Sequence, residues 1–466
     1  MSGSPQPSPS PGAPRAELVR ELGLADCVLL VLGAIIGSGI FLTPGGIART
    51  TQSTAAVFFV WILGGVLTFC GALSYAELGA AYPRAGGIYV FLREAYGRAT
   101  AFLFGWSVFF VMVAGSIATL ASAFAIYLSY LVPISPFASK FCAVAVILIL
   151  SLINCLGVRS GALVQNLLGV IKIGSLIGIA LVLFLSGKGN LQNITASPGS
   201  FASTPWSALG IAMVAVLWAY EGWYLLTFAA GEVKNPRRNL TVGLLLGTFS
   251  VMVLYLIVNL AYMYVLPFRV LTGSSRVASD ALELTLGTAG GTIVALAILI
   301  SISGAMNSNV LGGPRVFYAM AREKLFFRGV AYIHPRYHVP TVSIVLNGIW
   351  ASFLTMVGSF ERLFSYVIFV AWIFYALGAA AVLVLRHKQP GVERPYKTWG
   401  YPVVPVLFCL IAGAIVLNTI VNDFKNSFWG LLVIAAGLPA YFYWRGGTDD
   451  AKSRSVVSPP PGAAGR

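Results

Sequence analysis

Residues 34–41 read Ala-Ile-Ile-Gly-Ser-Gly-Ile-Phe and place two glycines and a serine in the middle of an apolar stretch that runs from about 22 to 47. A helix that crosses a membrane is normally continuous, because each unsatisfied backbone amide in hydrocarbon costs several kcal/mol. A break at that depth is tolerated only where protein, water or a ligand satisfies the freed backbone groups. The sequence therefore predicts a broken helix with a candidate binding site at the break.

A second stretch has the same character. Residues 218–223 read Trp-Ala-Tyr-Glu-Gly-Trp, interrupt an apolar segment from about 206 to 230, and put a carboxylate near its middle. Glycine is common in membrane helices, where it allows close packing, and this alternative remains open for Gly37 and Gly39 taken alone. Two broken spans, five helices apart, favour a secondary transporter built from inverted repeats, with its site between them.

Composition indicates an integral membrane protein. The chain has 466 residues, of which 58% are hydrophobic and 10% charged, whereas soluble domains average about 25% charged. Apolar stretches of about 20 residues predict membrane-spanning helices. Twelve are predicted, near 22–47, 54–81, 100–131, 138–156, 161–186, 206–230, 240–266, 289–320, 341–358, 362–385, 402–421 and 427–444.

Charge indicates how the chain is oriented. The formal net charge is +15, but most Lys and Arg fall on alternate loops, which become the cytoplasmic ones if the N-terminus is inside. This asymmetry predicts a multi-pass plasma-membrane protein with both termini in the cytoplasm, and it makes lipid head groups, not nucleic acid, the expected partner. The Ser-, Pro- and Gly-rich tails, 1–20 and 446–466, are predicted to be disordered and to flank a transmembrane domain over 21–445.

The residue types that bind metals lie in unpromising places. The three histidines fall on predicted cytoplasmic loops, and the five cysteines fall inside predicted spans, where they are expected to act as small buried hydrophobes. We therefore predict no metal site, no cofactor and no catalytic group. The cysteines are Cys27, Cys70, Cys142, Cys155 and Cys409.

Two ionisable residues are predicted to lie deep in the membrane, where charge is costly and usually functional. Lys172 is separated from the nearer helix end by about ten residues, or about 15 Å, too far for its side chain to reach water. For Glu221 three roles are open: binding a cationic side chain, carrying a coupling proton, or bonding to a neighbouring helix. Asp26, Glu77 and Glu232 lie near helix ends, where snorkelling or helix-terminus interactions explain them.

The two breaks offer complementary chemistry. The amides of Gly37, Ser38 and Gly39 lie at the positive start of a half-helix, which attracts a carboxylate. The carbonyls around Trp218 and Ala219 lie at the end of another half-helix, which attracts a cation. A molecule that carries a carboxylate and an ammonium group on one carbon satisfies both, so the predicted ligand is an α-amino acid.

Five motifs carry a resemblance to a known group of proteins. The chain resembles the amino acid-polyamine-organocation superfamily over about residues 20–445, and within it the L-amino-acid transporter family and its bacterial relatives. The motifs are Gly-Ala-Ile-Ile-Gly-Ser-Gly-Ile-Phe from Gly33, Tyr-Ala-Glu-Leu-Gly from Tyr75, Pro-Arg-Ala-Gly-Gly-Ile-Tyr from Pro83, Trp-Ala-Tyr-Glu-Gly-Trp from Trp218, and Gly-Glu-Val-Lys-Asn-Pro from Gly231.

This resemblance implies an all-α, LeuT-type fold that works by alternating access. Spans 1 to 5, about 22–186, and spans 6 to 10, about 206–385, would form the inverted repeats, with two further helices over about 402–444. It also implies that the Ser38 and Gly39 amides hold the substrate carboxylate, while the carbonyls of Ile35, Trp218 and Glu221 hold its amine.

Two further residues are assigned by the same resemblance. Trp223 matches an aromatic residue beside the substrate. Lys172 matches a lysine that, in these families, occupies the place of a sodium ion and ties the first span to the eighth. Sodium-independent transport is the implied consequence.

The sequence departs from its animal counterparts in the loop between spans 3 and 4. Animal members join a single-span glycoprotein through a cysteine there, but residues 132–136 read Val-Pro-Ile-Ser-Pro. A disulfide-linked heavy chain is therefore not expected, and a prokaryotic source is favoured.

The predicted function is sodium-independent exchange of L-amino acids, and the chain is not expected to be an enzyme. Neutral substrates are favoured because the aromatic neighbours Tyr220, Trp223 and Tyr224 suit an uncharged side chain. The position of Glu221 varies among the similar proteins, so side-chain specificity is open. A proton-coupled or cationic amino-acid or polyamine permease is the alternative, and a non-transporting sensor is a weaker one.

Overall fold

A computed structural model describes residues 18–456, with side chains described up to residue 445. The remaining parts of the two predicted tails, 1–17 and 457–466, lie outside the described residues. The described chain is helical throughout, apart from loops and one isolated parallel bridge between Leu22 and Val233. This agrees with the predicted all-helical class.

Twenty α-helices form the bundle within residues 18–456. In chain order they are α1 (Leu24–Ile35), α2 (Gly39–Thr51), α3 (Thr54–Ala81), α4 (Ile88–Tyr96), α5 (Arg98–Ser107), α6 (Val113–Leu131), α7 (Pro136–Cys155), α8 (Val158–Leu185), α9 (Gln192–Thr195), α10 (Trp206–Ala219), α11 (Leu225–Phe228), α12 (Pro236–Val265), α13 (Phe268–Gly273), α14 (Val277–Leu286), α15 (Thr288–Gly312), α16 (Pro314–Arg322), α17 (Thr341–Val357), α18 (Phe360–Lys388), α19 (Val403–Asn422) and α20 (Phe424–Val456).

Ten helical stretches among the described residues are long and apolar enough to cross a membrane, counting α1 with α2, α5 with α6, and α15 with α16 as single stretches. Two shorter apolar helices, α10 and α17, have 14 and 17 residues. They coincide with the predicted sixth and ninth spans, but each is shorter than the roughly 20 residues that span hydrocarbon unaided. The chain is therefore a multi-pass membrane protein.

The outer surface of the bundle is apolar, as contact with lipid requires. Helix α8 shows the pattern clearly. Leu163 and Leu167 on one face are 69% and 61% exposed, whereas Gln165 and Lys172 on the opposite face are 1% and 0% exposed. The polar side of this helix therefore faces the protein, and the leucines face the bilayer.

Both predicted breaks are present. Helix α1 ends at Ile35 and α2 begins at Gly39, so that Ile36–Ser38 is non-helical between them. The second break, Tyr220–Tyr224, separates α10 from α11, and its Gly222 has a φ of +103°, a conformation that favours glycine. The glycines that identified these breaks in the sequence thus lie in or beside them.

The acidic residues near helix ends behave in two ways. Asp26 accepts a hydrogen bond from the Gly23 amide at 2.8 Å and so caps the start of α1, the predicted helix-terminus interaction. Glu232 does not snorkel: it is buried in a bidentate pair with Arg315, at 2.9 and 3.0 Å. Glu77 is likewise buried, against Arg386. The expectation of snorkelling is wrong for these two because each has an internal partner.

One backbone contact joins the chain start to the end of the second break. The Leu22 amide donates to the Glu232 carbonyl at 2.9 Å, and the Lys234 amide donates to the Leu22 carbonyl at 2.8 Å. These bonds hold the segment before α1 against the segment after α11. Helix α1, the first half of the first broken span, is therefore connected to α11, the second half of the second broken span.

Three local features differ from the sequence-based expectation. The predicted third span contains a π-helical turn, Val108–Met112, a form that recurs at functional sites. Helix α20 continues to Val456, into the predicted C-terminal tail. Cys142 is exposed, not buried, because it lies on the outer face of α7, while Cys27 and Cys70 are buried as expected.

Candidate functional site

The two breaks meet with their backbones in contact. A Cβ atom at Gly39 would lie 2.4 Å from Cα of Ala219, and a Cβ atom at Gly222 would lie 2.9 Å from the carbonyl oxygen of Ala34. Neither distance admits a side chain, so the approach requires glycine on both sides. Close packing and a binding site are compatible here, since the contact creates the walls of a cavity.

A small cavity of about 20 Å³ lies where the breaks meet. It brings together six of the predicted site residues: Ile35, Gly37, Ser38, Gly39, Trp218 and Glu221. Ala219, Trp223 and Lys172 are not among its lining residues. The remaining lining residues are Ala34, Ser116, Leu120, Gly222 and Asn309.

The size of the cavity fixes what it can hold in this conformation. A volume of about 20 Å³ has room for a single water-sized group. Trp218 closes one side, with its indole Nε1 3.4 Å from the Ser38 hydroxyl and its ring packed against Phe360 and Phe364. An amino acid therefore enters only if the elements around the cavity move apart.

Ser38 and Gly39 of the first break line the cavity. Ser38 precedes α2 and Gly39 begins it, and the first amides of a helix have no acceptor within that helix. No hydrogen bond from either amide to another group is found within residues 18–456. The helix dipole adds partial positive charge at the same place. This is the arrangement that binds a carboxylate.

Carbonyl groups of both breaks converge on a tyrosine of α12. The Tyr255 hydroxyl lies 3.0 Å from the Ile35 carbonyl oxygen and 3.1 Å from that of Ala219. The Trp218 carbonyl accepts from the Glu221 amide at 3.1 Å. Because a hydroxyl has one proton, Tyr255 serves two carbonyls with one donor. The Ile35 and Ala219 carbonyl oxygens can therefore still accept a hydrogen bond from an ammonium group.

Lys172 satisfies the other carbonyls freed at the first break. Its Nζ atom donates to the carbonyls of Gly33 and Ile36, at 2.7 and 2.8 Å, and it is completely buried. Gly304 of α15 lies directly against it: a Cβ atom there would be 2.8 Å from Nζ. The ammonium group thus lies between the first broken span and α15, which forms most of the predicted eighth span.

Glu221 is bound to a neighbouring helix, one of the three roles open to it. Its Oε1 atom accepts a hydrogen bond of 2.6 Å from the Tyr375 hydroxyl of α18. Its other oxygen, Oε2, has no partner among the described residues. One oxygen is therefore fixed by Tyr375, and the Tyr224 hydroxyl interacts with the same carboxylate.

Trp223 lies behind Glu221, away from the cavity wall. Its ring packs against Tyr75 and Tyr375, with centroids 4.8 and 5.6 Å away. In this conformation it supports the tyrosine that binds Glu221. Direct contact between Trp223 and substrate thus stays a prediction.

Comparison with known proteins gives the family. Residues 22–438 match the amino acid permease family. The chain belongs to this family. The permease is 33% identical to the serine/threonine exchanger SteT of Bacillus subtilis over 431 residues, which cover 91% of this chain and 97% of the relative. It is 34% identical to the human b(0,+)-type amino acid transporter 1 over 438 residues, covering 91% and 88%.

A third relative is less similar to the permease. The permease is 28% identical to the human cystine/glutamate transporter over 447 residues, which cover 93% of this chain and 86% of the relative. These matches confirm the predicted superfamily resemblance and the prediction of a transporter rather than an enzyme.

Sequence reasoning missed several residues of the permease site. Ser116 and Leu120 reach the cavity from α6, and Asn309 reaches it from α15. Asn309 had a usable signal, because a buried amide in an apolar stretch is a candidate for function. Ser116, Leu120 and Tyr255 had none, since serine, leucine and tyrosine are ordinary residues of membrane helices.

Proposed function

We propose that the permease is a sodium-independent exchanger of L-amino acids, mainly neutral ones. The observation that supports this proposal is the contact between the two breaks. Ser38, Gly39 and Ile35 line the cavity there, and the Tyr255 hydroxyl joins the Ile35 carbonyl to the Ala219 carbonyl of the second broken span. The names of the relatives support exchange and amino-acid substrates. The Leu120 and Trp218 walls of the cavity support uncharged side chains.

In this proposal the substrate carboxylate is bound by the amides of Ser38 and Gly39. The substrate ammonium is bound by carbonyls of the two breaks, those of Ile35 and Ala219 being the best placed because each receives only a share of the Tyr255 proton. The Trp218 and Glu221 carbonyls, predicted earlier to hold the amine, lie in the same turn. An ammonium group brings three donors and so serves several of these acceptors together.

Sodium independence follows from the position of Lys172. Its ammonium group already donates to two carbonyls that a cation would otherwise coordinate. A fixed positive charge also repels a second cation nearby. Coupling to sodium therefore has no site at this position.

Alternating access accounts for the closed cavity. Trp218, Phe360 and Phe364 close it on one side, and the Glu232–Arg315 pair and the Leu22–Val233 bridge join elements on the other. Opening either side alone would expose the site to one compartment. We assign the ion-paired side to the cytoplasm, on the positive-inside asymmetry, and with it both termini.

The same proposal covers topology and assembly. Helices α10 and α17 complete a set of twelve spans, because α10 is continued through the second break by α11 and α17 reaches the required length through its flanking residues. The first ten spans form the two inverted repeats of a LeuT-type fold in the plasma membrane. The loop at 132–135 carries no cysteine, so the permease works without a disulfide-linked heavy chain.

Purified permease in proteoliposomes tests this function. Uptake of labelled L-serine should be slow into empty vesicles and stimulated several-fold by internal unlabelled serine. Uptake that follows an imposed pH gradient without internal substrate would favour the proton-coupled alternative, for which the buried carboxyl of Glu221 is the candidate carrier. Binding without accumulation under any condition would indicate a sensor.

A further inference from the structure

A second, much larger cavity is an apolar groove of about 430 Å³ that lies apart from the amino-acid cavity. It runs between the α5–α6 stretch, α17, α18 and α20, and its lining residues are glycine, aliphatic or aromatic. Trp429 and Ala436, two of these residues, are exposed on the outer surface of the bundle. Because the surrounding helices are apolar and long enough to cross a membrane, apart from the shorter α17, the groove opens towards lipid.

The polar atoms of the inner groove wall are already bonded to the protein. The Trp106 indole donates to the Val433 carbonyl at 3.0 Å, and the Trp350 indole donates to the Phe110 carbonyl at 3.1 Å. Phe110 belongs to the π-helical turn, Val108–Met112, which thus forms part of this wall. Since neither indole offers a free donor, this part of the groove suits a hydrocarbon occupant.

The groove has the length of a lipid chain segment. On α20 it extends from Trp429 to Ala436, seven residues or about 10 Å along the helix. One leaflet contributes about half of the 30 Å hydrocarbon thickness of a bilayer. The groove therefore runs through much of one leaflet, along the direction in which acyl chains lie.

One end of the groove is basic. Tyr366 of α18 and Trp429 of α20 line it there, and Arg362 and Lys425 lie four residues before them, one turn further out on the same helix faces. Both basic side chains are exposed, and neither forms an ion pair within residues 18–445. Helices α18 and α20 also begin at this end, which adds partial positive charge. An anionic group is therefore favoured beside the mouth of the groove.

Two acidic residues near this end do not cancel the charge on the groove side. Glu361 lies five residues before Tyr366, which places it about 140° around α18 from that tyrosine. Asp423 accepts a hydrogen bond of 2.7 Å from the Asn426 side chain at the start of α20. The basic residues are thus the ones that share a helix face with the lining residues.

We infer that the groove is a binding site for one anionic phospholipid, with an acyl chain in the groove and its phosphate at Arg362 and Lys425. The apolar wall and the basic end match the two parts of such a molecule, whereas a free fatty acyl chain or a soluble anion matches only one. This site goes beyond the proposed transport function and does not depend on it.

The groove and the amino-acid cavity share two helices. On α6, Gly115 lines the groove and the next residue, Ser116, lines the cavity. On α18, Leu363 lines the groove and the next residue, Phe364, packs against Trp218 at the cavity. A ligand stabilises the conformation that it binds. The bound lipid therefore stabilises the arrangement of α6 and α18 in which the cavity is closed.

Photochemical cross-linking of the full chain tests the site. The permease is reconstituted in phosphatidylcholine vesicles with a phosphatidylglycerol that carries a photoreactive group on one acyl chain, and the labelled peptides are identified by mass spectrometry. Labelling should concentrate on the groove-lining parts of α17, α18 and α20. Unlabelled phosphatidylglycerol should compete at a concentration about 10- to 30-fold lower than added phosphatidylethanolamine, the range expected for two basic residues at a lipid phosphate.

A variant that fills the groove tests where the acyl chain lies. Ala436→Phe places a ring in the groove and should remove most of the labelling there. Ala435→Phe is the matched control, because Ala435 is also exposed on α20 but does not line the groove. Its labelling should equal that of the wild type.

A second variant tests the phosphate end. Arg362→Gln combined with Lys425→Gln should keep labelling in the groove but bring the two competing lipids to similar concentrations. Arg269→Gln is the control, since Arg269 is an exposed basic residue of α13 that does not line the groove. Thermal stabilisation by phosphatidylglycerol in detergent, which should be lost in the double variant alone, gives a reading that needs no cross-link.

Three results would overturn the inference. Labelling spread evenly over the lipid-facing helices, α7 and α8 included, would mean that only ordinary bilayer lipid surrounds the permease. Unchanged labelling in Ala436→Phe would place the acyl chain elsewhere. Equal competition by the two lipids in the wild type would remove the assigned role of Arg362 and Lys425. None of these results bears on amino-acid exchange, which is measured separately, so the site and the proposed function fail independently.

Discussion

The two breaks look alike in the sequence but are built differently. The first, Ile36–Ser38, contains a glycine and a serine, and backbone groups make most of its polar contacts. Lys172 binds the Gly33 and Ile36 carbonyls, while the amides of Ser38 and Gly39 have no partner within residues 18–456. The second, Tyr220–Tyr224, has aromatic residues and a carboxylate, and its contacts are made by side chains such as the Glu221–Tyr375 pair. One broken helix therefore exposes main chain and the other positions side chains.

This difference separates two tasks. In the proposed function, the amides of the first break and carbonyls of both breaks would bind the carboxylate and ammonium groups that every α-amino acid carries, and so give general affinity. Side chains of the second break would then contact what differs among amino acids and give selectivity. Substitutions at the first break should lower transport of every substrate, whereas substitutions around Glu221 should change the order of preference.

The largest effect is expected for Gly39→Ala. The added Cβ would lie 2.4 Å from Cα of Ala219, and backbone atoms cannot rotate out of the way as a side chain can. Uptake of all amino acids should be abolished. Gly46→Ala is the control, because Gly46 lies in the same helix with no atom within 4 Å of an added Cβ. Normal transport by Gly39→Ala would show that the breaks need not touch.

A large effect is also expected for Lys172→Met, which keeps length and removes the charge. The Gly33 carbonyl would lose its side-chain donor, and the Ile36 carbonyl would keep only the Ser301 hydroxyl at 3.3 Å. Charged hydrogen bonds are worth about 1.5–3 kcal/mol each. Exchange should fall at least tenfold for every substrate. Lys140→Met is the comparison, since Lys140 also donates to two carbonyls, at 3.1 Å each, but at the end of α17. Equal losses of exchange in the two variants would show that the first break depends on its lysine no more than the end of α17 does.

A moderate effect is expected for Tyr255→Phe, which removes the hydroxyl that joins the breaks. The loss of one neutral hydrogen bond, about 0.5–1.5 kcal/mol, corresponds to roughly two- to tenfold. The apparent affinity for serine and alanine should change by the same factor, because the Tyr255 hydroxyl donates to backbone carbonyls. A change confined to one substrate would place Tyr255 with the selective residues of the second break.

No effect is expected when choline replaces sodium in the external buffer. Lys172 supplies the positive charge at the first break, so serine exchange should keep its initial rate. The measurement is the rate of labelled serine exchange across sodium concentrations at constant ionic strength. A steep dependence on sodium in the wild type would mean that a cation binds despite Lys172. The bound cation would then have to be included in the comparison of the two breaks.

The sequence predicted what local composition controls. Glycines within apolar stretches located both breaks, and Asp26 was placed at a helix start from position alone. Contacts between distant segments could not be predicted in this way: Glu232 and Arg315 are 83 positions apart, and nothing near either residue indicates the other. Ser116 and Tyr255 escaped notice for the same reason, since only tertiary packing distinguishes them from other residues of their type. The assigned roles of the site residues stay predictions.

The bridge between Leu22 and Val233 has a mechanical meaning. It is made of backbone bonds, so it does not depend on side-chain identity or ionisation, and it links the segment leading into α1 to the segment leaving α11. Alternating access, as proposed, would bend each broken span at its non-helical segment. Because these backbone bonds join α1 to the end of α11, the two half-helices would then have to move together unless the bonds break. One concerted movement of α1 and α11 would open the cavity on that side.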